Sequence, residues 1–90
     1  MRFALICHDR PGALQVRLDN RAAHLAHIQS TGVVEMAGPF LDDRGDMTGS
    51  LIILDVETLQ AAQAWAKADP YAMAGLFDTV TITAWKKVVG

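Results

Sequence analysis

An arginine, a histidine and an aspartate stand at positions that packing alone would fill with leucine or alanine. Arg21 and His24 belong to the segment Arg21-Ala22-Ala23-His24, and Asp69 precedes Pro70-Tyr71 about 45 residues further on. A carboxylate that accepts a hydrogen bond from one imidazole nitrogen fixes the tautomer and leaves the other nitrogen as a general base. A guanidinium beside such a pair can steady an anionic substrate or a developing enolate oxygen. These residue types suit proton abstraction, isomerisation or elimination without a cofactor. They also have plainer uses: Arg21 as half of a structural ion pair, His24 as a boundary residue, and Asp69 as the N-cap of a turn opened by Pro70.

The elements that carry these residues decide between the two sets of roles. From about Ala13 to Thr31 the pattern is helical, with Leu14, Leu18, Leu25 and Ile28 in one stripe and Gly32 placed for a C-cap. With Leu14 as origin, Arg21 falls at about −20°, inside the stripe, and His24 at about −80°, on its edge beside Arg17. Arg17, Arg21 and His24 form one cationic arc, and the Arg21 guanidinium requires a carboxylate, a run of carbonyls, or a cleft where the stripe reaches solvent, because unpaired burial is expensive. His27 falls at about −140° and is expected in solvent. Asp69 closes a second helix capped by Glu57 or Thr58, whose stripe is Leu59, Ala62 and Ala66 with Trp65 at its flank. A carboxylate there faces the negative end of the helix dipole, an unfavourable place unless another group holds it. The wheel returns Asp69 to the Leu59/Ala66 side, towards the sheet and the neighbouring helix.

Strands complete the pattern. Phe3–Cys7 is a continuous apolar run, ended by His8-Asp9-Arg10-Pro11-Gly12. Val33–Phe40 reads as a second strand, and Pro39 near its end suits a sheet edge or a bulge better than a central ladder position. Ser50–Val56, with the run Leu51-Ile52-Ile53-Leu54, is the third, and Phe77–Val88 the last, where Val80, Ile82 and Ala84 alternate with threonines. Strand, helix, strand, strand, helix, strand is the order of an α+β, ferredoxin-like βαββαβ domain, here residues 1–90, with an antiparallel sheet and two helices on one face. The first and third strands are apolar at consecutive positions, so the sheet face away from the helices also favours leaving water. Burying Ala4 and Ile6, or alternate members of Leu51–Leu54, contributes about 25 cal/mol per Å². A homodimer packed through its sheet faces is the expected cover.

Composition excludes several function classes. Half of the 90 residues are apolar and a fifth charged, which rules out disorder. A net charge of −2 with mixed signs gives no electrostatic footprint for nucleic acid or an anionic membrane. The apolar runs are too short to span a bilayer, and the first residues lack the apolar length and cleavage site of a signal peptide, so a cytoplasmic protein is expected. One cysteine, Cys7, makes no internal disulfide and reads as an inert core thiol. Three histidines without clustered Cys or Glu give no metal-ligand spacing, and no phosphate loop is present. His8-Asp9 is expected to serve a loop.

The ordered segments Arg21-x-x-His24-Leu25, Met36-Ala37-Gly38-Pro39, Thr48-Gly49-Ser50, Ala61-Ala62-Gln63-Ala64-Trp65 and Ala68-Asp69-Pro70-Tyr71 together resemble the YCII-related (YciI-like) family. The resemblance extends to the closing Trp85-Lys86-Lys87. It implies a ferredoxin-like protomer that pairs into a dimeric α/β barrel, and an active site whose histidine and aspartate map onto His24 and Asp69. One branch resembles a dehydrochlorinase acting on a chlorinated hydroxyquinol, a cofactor-free elimination. Gly38, Pro39 and Ser50 match positions near the implied cleft. Arg21, Gly38, Pro39, Ser50 and Tyr71 are therefore the expected substrate-binding residues, with no metal and no cofactor. The expected ligand is a small, anionic or phenolic ring compound. Two other readings remain open: a non-catalytic ligand-binding module, and a purely structural role in which an Arg21–Asp69 salt bridge locks the helices.

Overall fold

In the computed structural model, which describes residues 1–90, the chain runs β1 (Arg2–Asp9), α1 (Leu14–Thr31), β2 (Val34–Leu41), β3 (Met47–Asp55), α2 (Leu59–Ala68), α3 (Pro70–Met73) and β4 (Phe77–Trp85). The strands form one antiparallel sheet in the order β2-β3-β1-β4, with the helices on one face. This is the ferredoxin-like arrangement expected from the order of elements. Pro39 lies on edge strand β2, where its missing N–H breaks no central ladder.

The core forms where alternate strand residues meet the helices. Phe3, Leu5 and Cys7 of β1 stand opposite Leu54, Ile52 and Ser50 of β3, and all six are buried. Ala62 and Trp65 of α2 close over the apolar part of this layer. A smaller cluster of Ala13, Tyr71 and Leu76 fills the end nearer the β1–α1 turn. On the opposite sheet face Ala4 and Ile53 are buried within the chain itself, whereas Met36, Leu51 and Trp85 are left exposed.

Four local expectations are corrected. β1 does not end at Cys7 but continues through His8 and Asp9. The register shift against β4 falls between His8 and Asp9, where Phe77 rather than Asp78 is the partner. The additional residue is thus on β4, and β1 keeps its alternation, so Asp9 shares the helix-facing side with Cys7. On α1 the sheet-facing arc is not the leucine stripe. Arg17 and His24 are buried, while Leu18 and Leu25 are 46% and 50% exposed. Charged and polar side chains occupy that arc because partners on other elements satisfy them.

His27, expected in solvent, is half-buried. Its ring packs 4.6 Å from that of Trp65, and its Nε2 lies 3.2 Å from the Trp65 carbonyl oxygen. Trp65 in turn donates to Thr31 Oγ1 at 2.9 Å, tying α2 to the end of α1. On α2, Trp65 rather than Leu59 is central, and Leu59 is 41% exposed. The helix is capped by Thr58, whose hydroxyl accepts from the Ala61 amide at 3.1 Å. Gly32 and Gly75, at φ 65° and 72°, supply the left-handed stops after α1 and α3.

One glycine is required by proximity rather than by backbone angle. A Cβ on Gly49 would overlap the Cys7 carbonyl oxygen across the β1–β3 ladder and press on the Phe40 ring at 3.1 Å. Gly49→Ala is expected to lower stability by about 1–3 kcal/mol, as overpacked sites do, read as a reduced urea midpoint with an unchanged m-value.

Candidate active site

His24 and Asp69 meet because α1 and the α2–α3 junction pack side by side above the sheet. His24 Nδ1 lies 2.7 Å from Asp69 Oδ1, with both side chains buried. The proline that ends α2 fixes the carboxylate. Asp69 takes extended φ/ψ angles before Pro70, and the same Oδ1 accepts the Tyr71 amide at 3.0 Å. Its capping role and its contact with His24 are therefore held by one atom. The Arg21–Asp69 salt bridge of the structural reading is not formed.

With Nδ1 committed to the carboxylate, Nε2 is the free nitrogen of His24. Every fully buried side-chain polar atom in the chain has a partner, and Nε2 has none in the protein. It therefore reaches the cleft that the ring lines. The imidazole stacks on the Tyr71 ring at 3.9 Å between centroids and 13° between planes. The edge of Phe77 meets that ring from a third direction at 6.1 Å. Such contacts hold the imidazole plane fixed before any ligand arrives.

Arg17 is the cation that the wheel had left at the margin. It is 2% exposed, and its guanidinium clasps Asp9 through both forks at 2.8 and 2.9 Å. It also donates to Ser50 Oγ at 2.9 Å and lies 4.7 Å from the centre of the Tyr71 ring. Burial pulls the Arg17 guanidinium down, but the Asp9 carboxylate more than offsets this and holds it above its ordinary value. Burial also raises the Tyr71 phenol, against the opposing charges of Arg17 and Arg21, so its hydroxyl keeps its proton at neutral pH. Cys7 is pushed up to about 12 by burial and then by the Asp69 charge, which leaves it a neutral thiol and no nucleophile.

A cleft of about 160 Å³ opens between α1 and the β2–β3 hairpin. Its polar lining is Arg17, Arg21, His24, Ser50 and Tyr71, and its apolar walls include Leu25, Ile28, Met47 and Ile52. Ala37, Gly38 and Pro39 close the side towards the sheet edge. His24, Arg21, Gly38, Pro39, Ser50 and Tyr71, chosen from sequence, thus border one space, with Asp69 directly behind His24. Of the settings open to Arg21, the structure gives the cleft: Arg21 is exposed at its mouth and makes no ion pair within the chain.

The sequence reading missed the pairing of Asp9 with Arg17. A signal for Asp9 is present in the sequence, since it continues the alternation Phe3, Leu5, Cys7, but it lies beyond the apolar run that marks the strand. Chemically, the arrangement offers an oriented imidazole, a fully partnered buried cation, a free cation at the entrance and hydroxyl groups in an otherwise apolar space.

Comparison with known proteins places this geometry in context. The profile of the YCII-related domain family matches residues 1–86. The chain is 40% identical to Protein YciI of Escherichia coli O6:H1 over 97 aligned positions, covering 98% of this chain and 99% of that one. It is 37% identical, over the same shares, to an uncharacterised protein of Haemophilus influenzae. Among solved structures it resembles 5-chloro-2-hydroxyhydroquinone dehydrochlorinase (TftG) from Burkholderia phenoliruptrix AC1100, in complex with 2,5-dihydroxybenzoquinone. The TM-score is 0.87 at 39% identity, over 96% of this chain and 94% of that one. A structure described as an antibiotic biosynthesis monooxygenase shares the fold alone, at a TM-score of 0.60 and 11% identity.

Proposed function

The chain belongs to the YCII-related domain family, and from that premise we propose that it is a cofactor-independent enzyme of proton transfer. Its substrates would be small anionic or phenolic ring compounds, and its reaction an isomerisation or an elimination such as dehydrochlorination. The observation that carries this reading is the His24–Asp69 contact at 2.7 Å, with the opposite imidazole nitrogen turned to the cleft. Asp69 holds the proton on Nδ1, so Nε2 presents a lone pair. Arg21 orients the anionic edge of the substrate at the cleft mouth. Gly38 and Pro39 form a wall without long side chains, Tyr71 backs the imidazole, and Ser50 contacts the ligand.

For a chlorinated hydroxyquinol the steps balance as loss of HCl. Nε2 takes one hydroxyl proton and returns it to the chlorine-bearing carbon, giving a ketone tautomer. A second hydroxyl then loses its proton as chloride departs with the bonding pair, which leaves a quinone. The cleft suits one such ring in size, and the similarity to TftG supports this substrate class. The test is chloride release and quinone absorbance when the protein is mixed with 5-chloro-2-hydroxyhydroquinone; no chloride above the buffer rate would reject the dehydrochlorinase form of the reading.

The same proposal includes a homodimer. Met36, Leu51 and Trp85, at 49%, 36% and 38% exposure, lie on the sheet face that no helix covers. A second copy seated there removes that apolar surface from water. Sedimentation equilibrium at micromolar concentration is expected to give twice the 9.8 kDa chain mass, and a monomer would refute the pairing. No helix is long and apolar enough to cross a membrane.

A further inference from the structure

The buried Arg17–Asp9 pair has no place in the His24–Asp69 dyad, yet its arginine borders the same cleft. A guanidinium clasped by a carboxylate through two forks needs no further charge partner, and its remaining contact, to Ser50 Oγ at 2.9 Å, is the informative one. Arg17 has only protons to give, so the serine oxygen must accept. A hydroxyl that accepts still carries its own proton, and Ser50 Oγ meets no protein acceptor for it. Ser50 is itself 3% exposed, and what surface it has borders the cleft. The hydroxyl proton is therefore directed at whatever occupies that space.

We infer that Ser50 is the oxyanion donor of the site, polarised by Arg17, which Asp9 holds in place. This rests on the reading of the cleft as a site for hydroxylated rings, and it specifies the chemistry that such a ring must present. His24 Nε2 accepts a proton from one oxygen of the ligand, while Ser50 donates to an oxygen on which negative charge resides or develops. The ligand class is thus a ring that carries a hydroxyl together with a carbonyl or enolate oxygen, as hydroxyquinones and the keto tautomers of hydroxyquinols do. A donor backed by a buried cation strengthens as charge accumulates on its acceptor, because the pair is already oriented and little water intervenes. Asp9 and Arg17 act through Ser50 and are positioning residues. Their pairing also explains why a cation can occupy the sheet-facing arc of α1.

The test uses binding rather than turnover, so that it stands apart from the proposed elimination. 2,5-Dihydroxybenzoquinone absorbs visibly and carries the required oxygens, and toluene is a ring that lacks them. Wild-type protein is expected to bind the quinone with a shift in its absorption maximum. Ser50→Ala is expected to weaken that binding about tenfold or more and to abolish the shift, while toluene binding by NMR titration changes less than twofold. Ser50→Thr, which keeps the hydroxyl, should recover the shift. Equal weakening for quinone and toluene would mean that Ser50 only shapes the cleft, and would overturn the assignment. Quinone binding unchanged in Ser50→Ala, or absent from the wild type, would overturn it as well. Wild-type protein that binds the quinone in a Ser50-dependent way but releases no chloride from the chlorinated hydroxyquinol would refute the dehydrochlorinase and leave the donor assignment intact.

Discussion

His24→Gln is expected to lower turnover of a chlorinated hydroxyquinol by about 10²–10⁴-fold, the range typical of losing a general base. Glutamine fills much of the same volume and can still donate an amide proton to Asp69, so the α1–junction contact survives. What it lacks is a basic nitrogen towards the cleft. The melting temperature should consequently move by only a few degrees, and quinone binding should persist. Asp69→Asn is the companion variant. It keeps an oxygen for the Tyr71 amide, 3.0 Å away in the native protein, but no longer favours a proton on His24 Nδ1. Its rate should fall with little change in ligand affinity. The two losses should not add, because both variants disable one unit. Chloride release by stopped-flow and melting by circular dichroism, on the same samples, decide the matter. Undiminished turnover in His24→Gln would sink the catalytic reading. A collapse in melting temperature with intact turnover would return the pair to a purely structural role.

The second large effect falls on stability. Asp9→Ala removes the carboxylate that neutralises a guanidinium only 2% exposed, and leaves its forks unanswered. Breaking a buried pair from one side costs about 3–5 kcal/mol. For a chain of this length each kcal/mol is worth about 4–8 °C, so a fall of more than 12 °C, or failure to fold at 37 °C, is the expected result. Replacing both partners with apolar residues of similar volume, Asp9→Leu with Arg17→Met, should recover much of that loss, since no buried charge is then left alone. Thermal denaturation of the single and double variants measures the coupling directly. A single variant as stable as wild type would show that Arg17 reaches water easily, contrary to its burial.

Both predictions concern residues that the sequence treated unequally, and the reason is physical. Element order, strand identity and the edge position of β2 follow from local rules: runs of β-branched and apolar residues, Gly32 and Gly75 where left-handed angles stop a helix, and Pro70 where one must end. Asp69 before Pro70 could be placed at the α2–α3 junction for the same cause. The His24–Asp69 juxtaposition also became plausible from the wheel, because both residues turned towards the sheet side of adjacent helices.

Periodicity ranks a residue by how readily its side chain leaves water on its own. By that measure Leu14, Leu18 and Leu25 had to define the buried face of α1, and Arg17 and His27 had to lie outside it. In the folded chain the buried arc is rotated by about a quarter turn, onto Arg17 and His24. Asp9 on β1 and Asp69 beyond α2 supply what those side chains need, and the Trp65 ring and carbonyl meet His27. None of these partners is local to α1. By itself, then, the sequence determined the ferredoxin-like order and the residues from which a site could be made. Only the tertiary structure decided which charges pair, that Arg21 remains free at the cleft mouth, and that Arg17, held by Asp9, borders the same cleft as His24. Burial of a charge depends on a partner brought from elsewhere in the chain, and no pattern within one helix records that partner.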